Sequence, residues 1–329
     1  MKVITSVAAL LLLVGAVAAQ KRPERPKVHA EFYFGSIPPS REAAKAMAQE
    51  KARLVMVGYH VGWSEEKIAK ELKWQTREVD TIHSDLTELG LLGRRGTDTR
   101  PSVLVVRNQD LNELDSLLQR HIREFALILQ TNLEEVESML SSLSGEQEVP
   151  LERRLYATVV GGILFGGMID VFADDKTFMP APPARGKGGQ FWGWLVESDP
   201  TLAGRTQREA WDSEAYQIVS IGSPLPEERP SLEEIRKSGW ILAEPDARRF
   251  RTFALVMARD KLLPFFKSQR EELLKAHRQV DSGRYSSFAS FVAWYYTAVA
   301  NGAVDRLAMS GRLVAPKEPT HYALKTPVR

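Results

Sequence analysis

Between Ser64 and Arg107 the chain sets out an order of elements that few folds can use: helix, short turn, helix, strand, polar turn, strand. Ser64 is a good N-cap, because its hydroxyl can accept from the free backbone N–H groups of a first turn. Glu65 and Glu66 then place negative charge at the positive end of the helix dipole. Ile68, Ala69 and Leu72 fall on one face of this helix. Lys73-Trp74-Gln75 breaks the pattern, and Thr76 can cap a second helix in which Val79, Ile82, Leu86 and Leu89 form a core-facing stripe. Gly90 suits the left-handed position after a helix end. Leu91-Leu92 reads as a short strand, Arg94 to Arg100 as a polar turn containing Gly96, and Ser102 to Val106 as the return strand.

A helix-turn-helix followed by a β-wing resembles the winged-helix domains of bacterial transcription regulators. The resemblance covers residues 41–107, with Glu88-Leu89-Gly90-Leu91-Leu92 standing where such domains pass from recognition helix to wing. It implies DNA binding, with Arg94, Arg95 and Arg100 of the wing as phosphate contacts. The second helix argues against that function. It carries Arg77 against Glu78, Asp80, Asp85 and Glu88, and carboxylates placed in a major groove are repelled by the duplex.

The N-terminus argues in the same direction. Met1-Lys2 gives a short positive start, Val3 to Val17 is apolar apart from Thr5 and Ser6, and Ala16-Val17-Ala18-Ala19-Gln20 offers small residues to a signal peptidase. Residues 1–19 therefore read as a secretory signal peptide cleaved near Ala18 or Ala19, with an N-terminal membrane anchor as the alternative. Cleavage there places the chain outside the cytoplasm, periplasmic or secreted. The formal charge of +2 over 329 residues points to neither nucleic acid nor a membrane surface. The absence of cysteine excludes disulfides, thiol chemistry and cysteine-type zinc sites.

Residues 20–40 read as a proline-containing linker, with Phe32, Tyr33 and Phe34 as an added strand or strap before a helix capped by Ser40. Connecting helices follow the wing over 108–143; Leu111, Leu114, Leu118, Ile122, Phe125 and Leu129 make a continuous apolar face, with Asn132 as an interruption. Leu155 to Val171 is apolar and glycine-rich, and reads as a buried helix that lets another backbone come close. The Arg185-Gly186-Lys187-Gly188-Gly189 run lacks the spacing of a phosphate loop and reads as a flexible basic loop.

A second α+β lobe is expected over 150–283, a C-terminal helix over 284–311 and a tail over 312–329. In that lobe Leu232 to Gly239, Trp240 to Leu242, a polar turn and Arg251 to Met257 repeat the order helix, strand, turn, strand, which suggests a degenerate second winged-helix-like copy. The helical stretches 110–143 and 285–309 are candidates for homodimer contacts.

Most of the unusual chemistry lies between Gln190 and Ile221. Trp192, Trp194 and Trp211 stand near Glu197 and Asp212, and aromatic rings beside carboxylates can line a groove for a sugar or a peptide. Alternation of Trp192 and Trp194 along a strand allows core packing instead. The six histidines are scattered and read as surface or structural groups, and no nucleophile–base set or metal-ligand spacing stands out. The sequence thus leads to an α+β, mainly helical protein, more a non-catalytic binding or scaffold protein than an enzyme, with no cofactor and with an unknown protein or small ligand as partner. A DNA-binding regulator and an exported carbohydrate- or peptide-active protein are the alternatives.

Overall fold

The computed structural model describes residues 31–144, 149–197, 208–222, 226 and 228–326. The leader-like residues 1–19 and most of the linker lie outside the described residues, as does the end of the tail. The architecture is α+β and mainly helical.

A three-stranded sheet separates two cores. β1 (Phe32–Ile37) runs antiparallel to β5 (Trp192–Glu197), and β4 (Leu104–Val106) lies parallel on the other side of β5. Because side chains alternate along a strand, the sheet serves both sides. Val103, Val105, Phe191 and Leu195 enter one core, while Leu104, Val106, Trp192, Trp194 and Val196 enter the other. Burial on both faces explains the unbroken apolar runs in β4 and β5.

The smaller core belongs to α1 (Arg41–Met47), α2 (Glu50–His60), α3 (Glu65–Leu72) and α4 (Thr76–Glu88). Ser40 caps α1, accepting from Ala43 N, and Ser64 caps α3, accepting from Lys67 N. After α4, Gly90 takes a φ of +66° and the chain enters a hairpin of β2 (Leu92–Arg95) and β3 (Asp98–Pro101). The hairpin closes one strand earlier than the sequence suggests: Gly96-Thr97 alone makes the turn, and Arg95 faces Asp98. Val103 to Val106 is too apolar for a half-exposed wing, so it leaves the hairpin and joins the buried sheet as β4.

The larger core surrounds α12 (Phe288–Met309), which is apolar on every side and buried along nearly its whole length. α5 (Asn108–Ser141) packs along it as one uninterrupted helix; Asn132 simply donates to Ile128 O at 2.7 Å. The apolar faces proposed for homodimer contacts are therefore covered by each other within the chain. α6 (Leu151–Ala157), a π-helical segment (Thr158–Gly167) and α7 (Met168–Asp174) form one continuous helix. It is long and apolar enough to cross a membrane, and 83% of its most apolar window is buried inside this fold.

A four-stranded sheet closes the far side, in the order β6 (Arg208–Asp212), β7 (Tyr216–Ile221), β9 (Thr320–Lys325), β8 (Gly239–Leu242), with α8 (Leu232–Ser238) leading into β8. The expected tail thus supplies an inner strand, antiparallel to β7 and parallel to β8. The expected second winged-helix copy does not form. Arg251 to Met257 is not a strand but lies in α9 (Asp246–Val256) and the π-helical turn after it, Met257–Leu262. Ala247, Phe250, Ala254, Met257 and Ala258 are all buried, and that spacing is helical. α10 (Leu263–Ser268) and α11 (Arg270–Gln279) lead back to α12.

Candidate functional site: a cleft between the two cores

The π-helical segment sets the position of the site. It carries two glycine pairs, Gly161-Gly162 and Gly166-Gly167, which let other elements approach the backbone. A Cβ on Gly167 would stand 2.6 Å from Ala254 O in α9, and one on Gly162 would meet the Phe250 ring at 2.9 Å. Gly161 O accepts a hydrogen bond from Arg208 Nε of β6 at 3.1 Å. Wide π turns of this kind occur often at functional sites.

Beside this segment lies a cleft of about 1410 Å³. It is lined by β1 and the start of α1, by the glycine face of the π segment, by β6, and by parts of α9 and α12. Thr297 of α12 marks it clearly. Every other residue from Phe291 to Ala300 is buried, whereas Thr297 is half-buried and lines the cleft. Phe34, Phe165, Trp194, Phe250 and Trp294 supply apolar and aromatic surface.

Charged groups line it as well. Arg41 of α1 pairs with Glu209 of β6 at 2.8 Å, joining the two sides of the cleft. Burial raises the Asp170 carboxyl above the usual range, against the opposing field of Arg208. Arg251 donates through Nη2 to Leu324 O (3.2 Å) and Lys325 O (2.7 Å), and its Nη1 makes no hydrogen bond. Burial lowers the affinity of that guanidinium for its proton. Trp294, wholly buried, leaves its indole Nε1 without a hydrogen-bond partner.

The structure divides the residues singled out in the sequence. Trp194, Trp211 and Asp212 all line the cleft, Asp212 accepting from Gln217 Nε2 at 3.0 Å. Gly35 makes room for Trp194, since a Cβ there would overlap its indole. Trp192 does not line the cleft; it is buried in the larger core. Nor does Glu197, which accepts from Arg107 Nε (3.0 Å) and Asn108 N (3.1 Å) at the start of α5, where the helix dipole favours a carboxylate. Arg208, Arg251, Trp294 and Thr297 were not legible as site residues.

Two of the three wing arginines bond to backbone carbonyls of the chain itself. Arg100 donates to Tyr59 O (3.1 Å) and His60 O (3.0 Å) at the end of α2, and Arg95 donates to Tyr285 O (2.8 Å). Arg94 is exposed. On α4, Glu78 pairs with Lys51 and Glu88 with Lys187. The Arg185–Gly189 run packs rather than standing free: Arg185 is buried, donates to Phe191 O (2.9 Å) and Gly90 O (3.0 Å), and lies over the Phe191 ring.

The described histidines each have a partner. His60 bonds Tyr285, His83 bonds Tyr59 and Glu65, His121 bonds Tyr295, and His277 bonds Ser286. Ser220 and His321 face each other on β7 and β9 at 2.7 Å, but Ser220 is wholly buried and cannot meet a substrate. Among the described residues, no group of three or more histidines and carboxylates could hold a metal ion. No family model, curated protein or solved structure matches the chain.

Proposed function

We propose that this is a non-catalytic binding protein whose ligand occupies the cleft beside the π-helical segment. The observation that carries the reading is the cleft itself, about 1410 Å³ with mixed aromatic and charged walls, next to a central helix that is covered everywhere along its middle except at Thr297. Small-molecule sites share this character: concave, mostly apolar, with a few placed polar groups. The winged-helix-like unit serves as a scaffold for one wall. Two features favour scaffold over DNA reader: the acidic α4, and the bonding of Arg95 and Arg100 to backbone carbonyls. The leader-like residues 1–19 support binding outside the cytoplasm, which the N-terminal mass of protein from its native host would test.

A neutral polarity-sensitive dye such as Nile red tests the cleft. It should bind the full chain with one-to-one stoichiometry. Thr297→Trp, placed at a half-buried position, should fill the cleft and weaken that binding about tenfold, the loss expected when a ligand's apolar contacts are blocked. Its melting temperature should stay near that of the parent. Unchanged dye binding in a folded Thr297→Trp protein would end the reading.

A further inference from the structure

Two sheets end at the cleft. Among the described residues, β1 is an outer strand of the three-stranded sheet and β6 an outer strand of the four-stranded one. Five of the six residues of β1 and all five of β6 line the cleft. An outer strand presents a row of backbone N–H and C=O groups with which a further strand can pair.

The hairpin of β6 and β7 fixes which groups of β6 face outward. Ser213 N donates to Tyr216 O at 3.0 Å across its turn, so the pair before it, Asp212 with Gln217, exchanges no backbone bonds. By alternation Trp211 and Glu209 bond to β7, while Arg208, Ala210 and Asp212 turn their N–H and C=O groups away from it. None of these three residues is buried, and among the described residues no backbone group bonds to the row they form. Their side chains share one side of the strand. Ala210 packs on that side toward the larger core, where Phe165 and Phe250 give the cleft an apolar wall.

The charged residues lining the cleft are four arginines and four carboxylates, so net charge selects neither an anion nor a cation. At about 1410 Å³ the cleft exceeds the roughly 300–1,000 Å³ of small-molecule pockets. A ligand that pairs with the row must offer donors and acceptors at the strand repeat, about 6.8 Å for every two residues. A polypeptide backbone does so; a sugar or a hydrocarbon chain does not.

We propose that the ligand is an extended segment of another polypeptide, apolar at alternate residues, which adds as a strand to the outer edge of β6. The backbone ladder supplies affinity, and the wall of Phe165 and Phe250 selects the apolar side chains beside Ala210. This assignment rests on the cleft being the binding site.

The test titrates the full chain with the neutral peptide acetyl-Lys-Thr-Val-Thr-Val-Thr-Glu-amide, read by calorimetry and by displacement of Nile red. Serine in place of both valines should weaken binding about tenfold or more; unchanged affinity overturns the apolar pattern. Two further peptides carry N-methyl groups on the valines or on the threonines, so each has one backbone edge blocked. One of the two should lose binding about tenfold or more while the other keeps it, because only one edge meets β6. Equal affinities overturn the strand assignment. Ala210→Pro removes an outward N–H that β7 does not use, a change that an outer strand tolerates. It should weaken peptide binding about tenfold and leave Nile red binding and the melting temperature near those of the parent; unchanged peptide binding overturns the role of β6. If Nile red binds and the peptide does not, the strand assignment falls and the cleft reading stands. If neither binds, both fall.

Discussion

The two cores on either side of the β1-β5-β4 sheet are closed in different ways. Around α2 the close approaches are made to side chains: a Cβ on Gly58 would meet Cγ1 and Cδ1 of Ile68, at 2.7 and 2.9 Å. On the π-helical segment Gly161 and Gly162 meet side chains, of Ile221 and Phe250, while Gly167 stands against backbone, Ala254 O. The polar groups differ in the same sense. In the smaller core Arg100 and Arg185 end on carbonyls. In the larger one Arg251 and Trp294 leave donors beside a cleft. The smaller core braces its arginines on backbone carbonyls, while the larger one has a cleft beside the π-helical segment.

The glycines give the sharpest way to break this comparison. Gly167→Ala pushes a methyl group into a carbonyl that cannot move without shifting α9, and should cost about 2–3 kcal/mol, the upper range for overpacking. Gly58→Ala asks only for a new Ile68 rotamer and improves helix propensity, so its net cost should stay under about 1 kcal/mol. Urea unfolding of the two variants measures the difference. Equal losses would mean that both cores yield alike.

Arg185→Met comes next. It strips the bonds from two carbonyls, Phe191 O and Gly90 O, in a wholly packed setting, and each unpaired group costs about 1–3 kcal/mol. A loss of about 2–3 kcal/mol is expected, with dye binding in the cleft retained. A loss below about 0.5 kcal/mol would show that the loop does not brace the α4–β2 turn.

These two sites also show what the sequence could carry. α3 and α4 were legible because their stripes are local, and Gly90 because its conformation follows from its neighbours. The destination of Val103 to Val106 was not: an apolar run says that a strand is buried on both faces, but not that its partner is β5, some ninety residues on. Thr320 to Lys325 reads as tail because its burial comes from β7 and β8, both distant in sequence. In the site, Trp194, Trp211 and Asp212 were visible as unusual chemistry, whereas Arg251 and Thr297 become notable only through what they fail to bury or bond. The glycine pairs read as a helix that lets another backbone come close, as Gly167 does against Ala254 O, whereas its π turns had no signal in the sequence.

A pH titration sharpens the contrast from the scaffold side. His60 is buried between α2 and the turn before Tyr285, facing Asp281 as well as Arg107, Arg100 and Arg284. Burial, foremost, lowers its pKa to about 4 from an ordinary 6.5. The unfolded chain therefore takes up a proton near pH 6.5 that the fold resists until about pH 4. Stability is complete above pH 6.5 and is lost as pH falls through that window, by on the order of 2–3 kcal/mol. Burial shifts His121, His277 and His321 in the same direction, adding to the slope. His60→Asn should remove its own share, so that the variant loses less stability than the parent between pH 7 and 5. Parallel curves would show that His60 is not held neutral.

The smallest effects separate the wing arginines, and here scaffold and DNA reader part company. Arg100 donates to two carbonyls at the end of α2, where a cation also faces the negative end of the dipole, so Arg100→Met should cost about 1 kcal/mol. Arg95 makes one exposed bond to Tyr285 O, and Arg95→Met should cost a few tenths of a kcal/mol. Arg94 is exposed, and Arg94→Met should change stability by less still. Were the wing a phosphate clamp, the order would reverse in a duplex-binding assay at low salt: Arg94→Met would weaken binding most, and the salt slope would fall by about one for each phosphate left without its arginine. A scaffold shows the stability ranking and no salt-dependent binding to lose. Salt-dependent duplex binding that falls with Arg94→Met would therefore overturn the scaffold reading, which the acidic α4 beside the same wing supports.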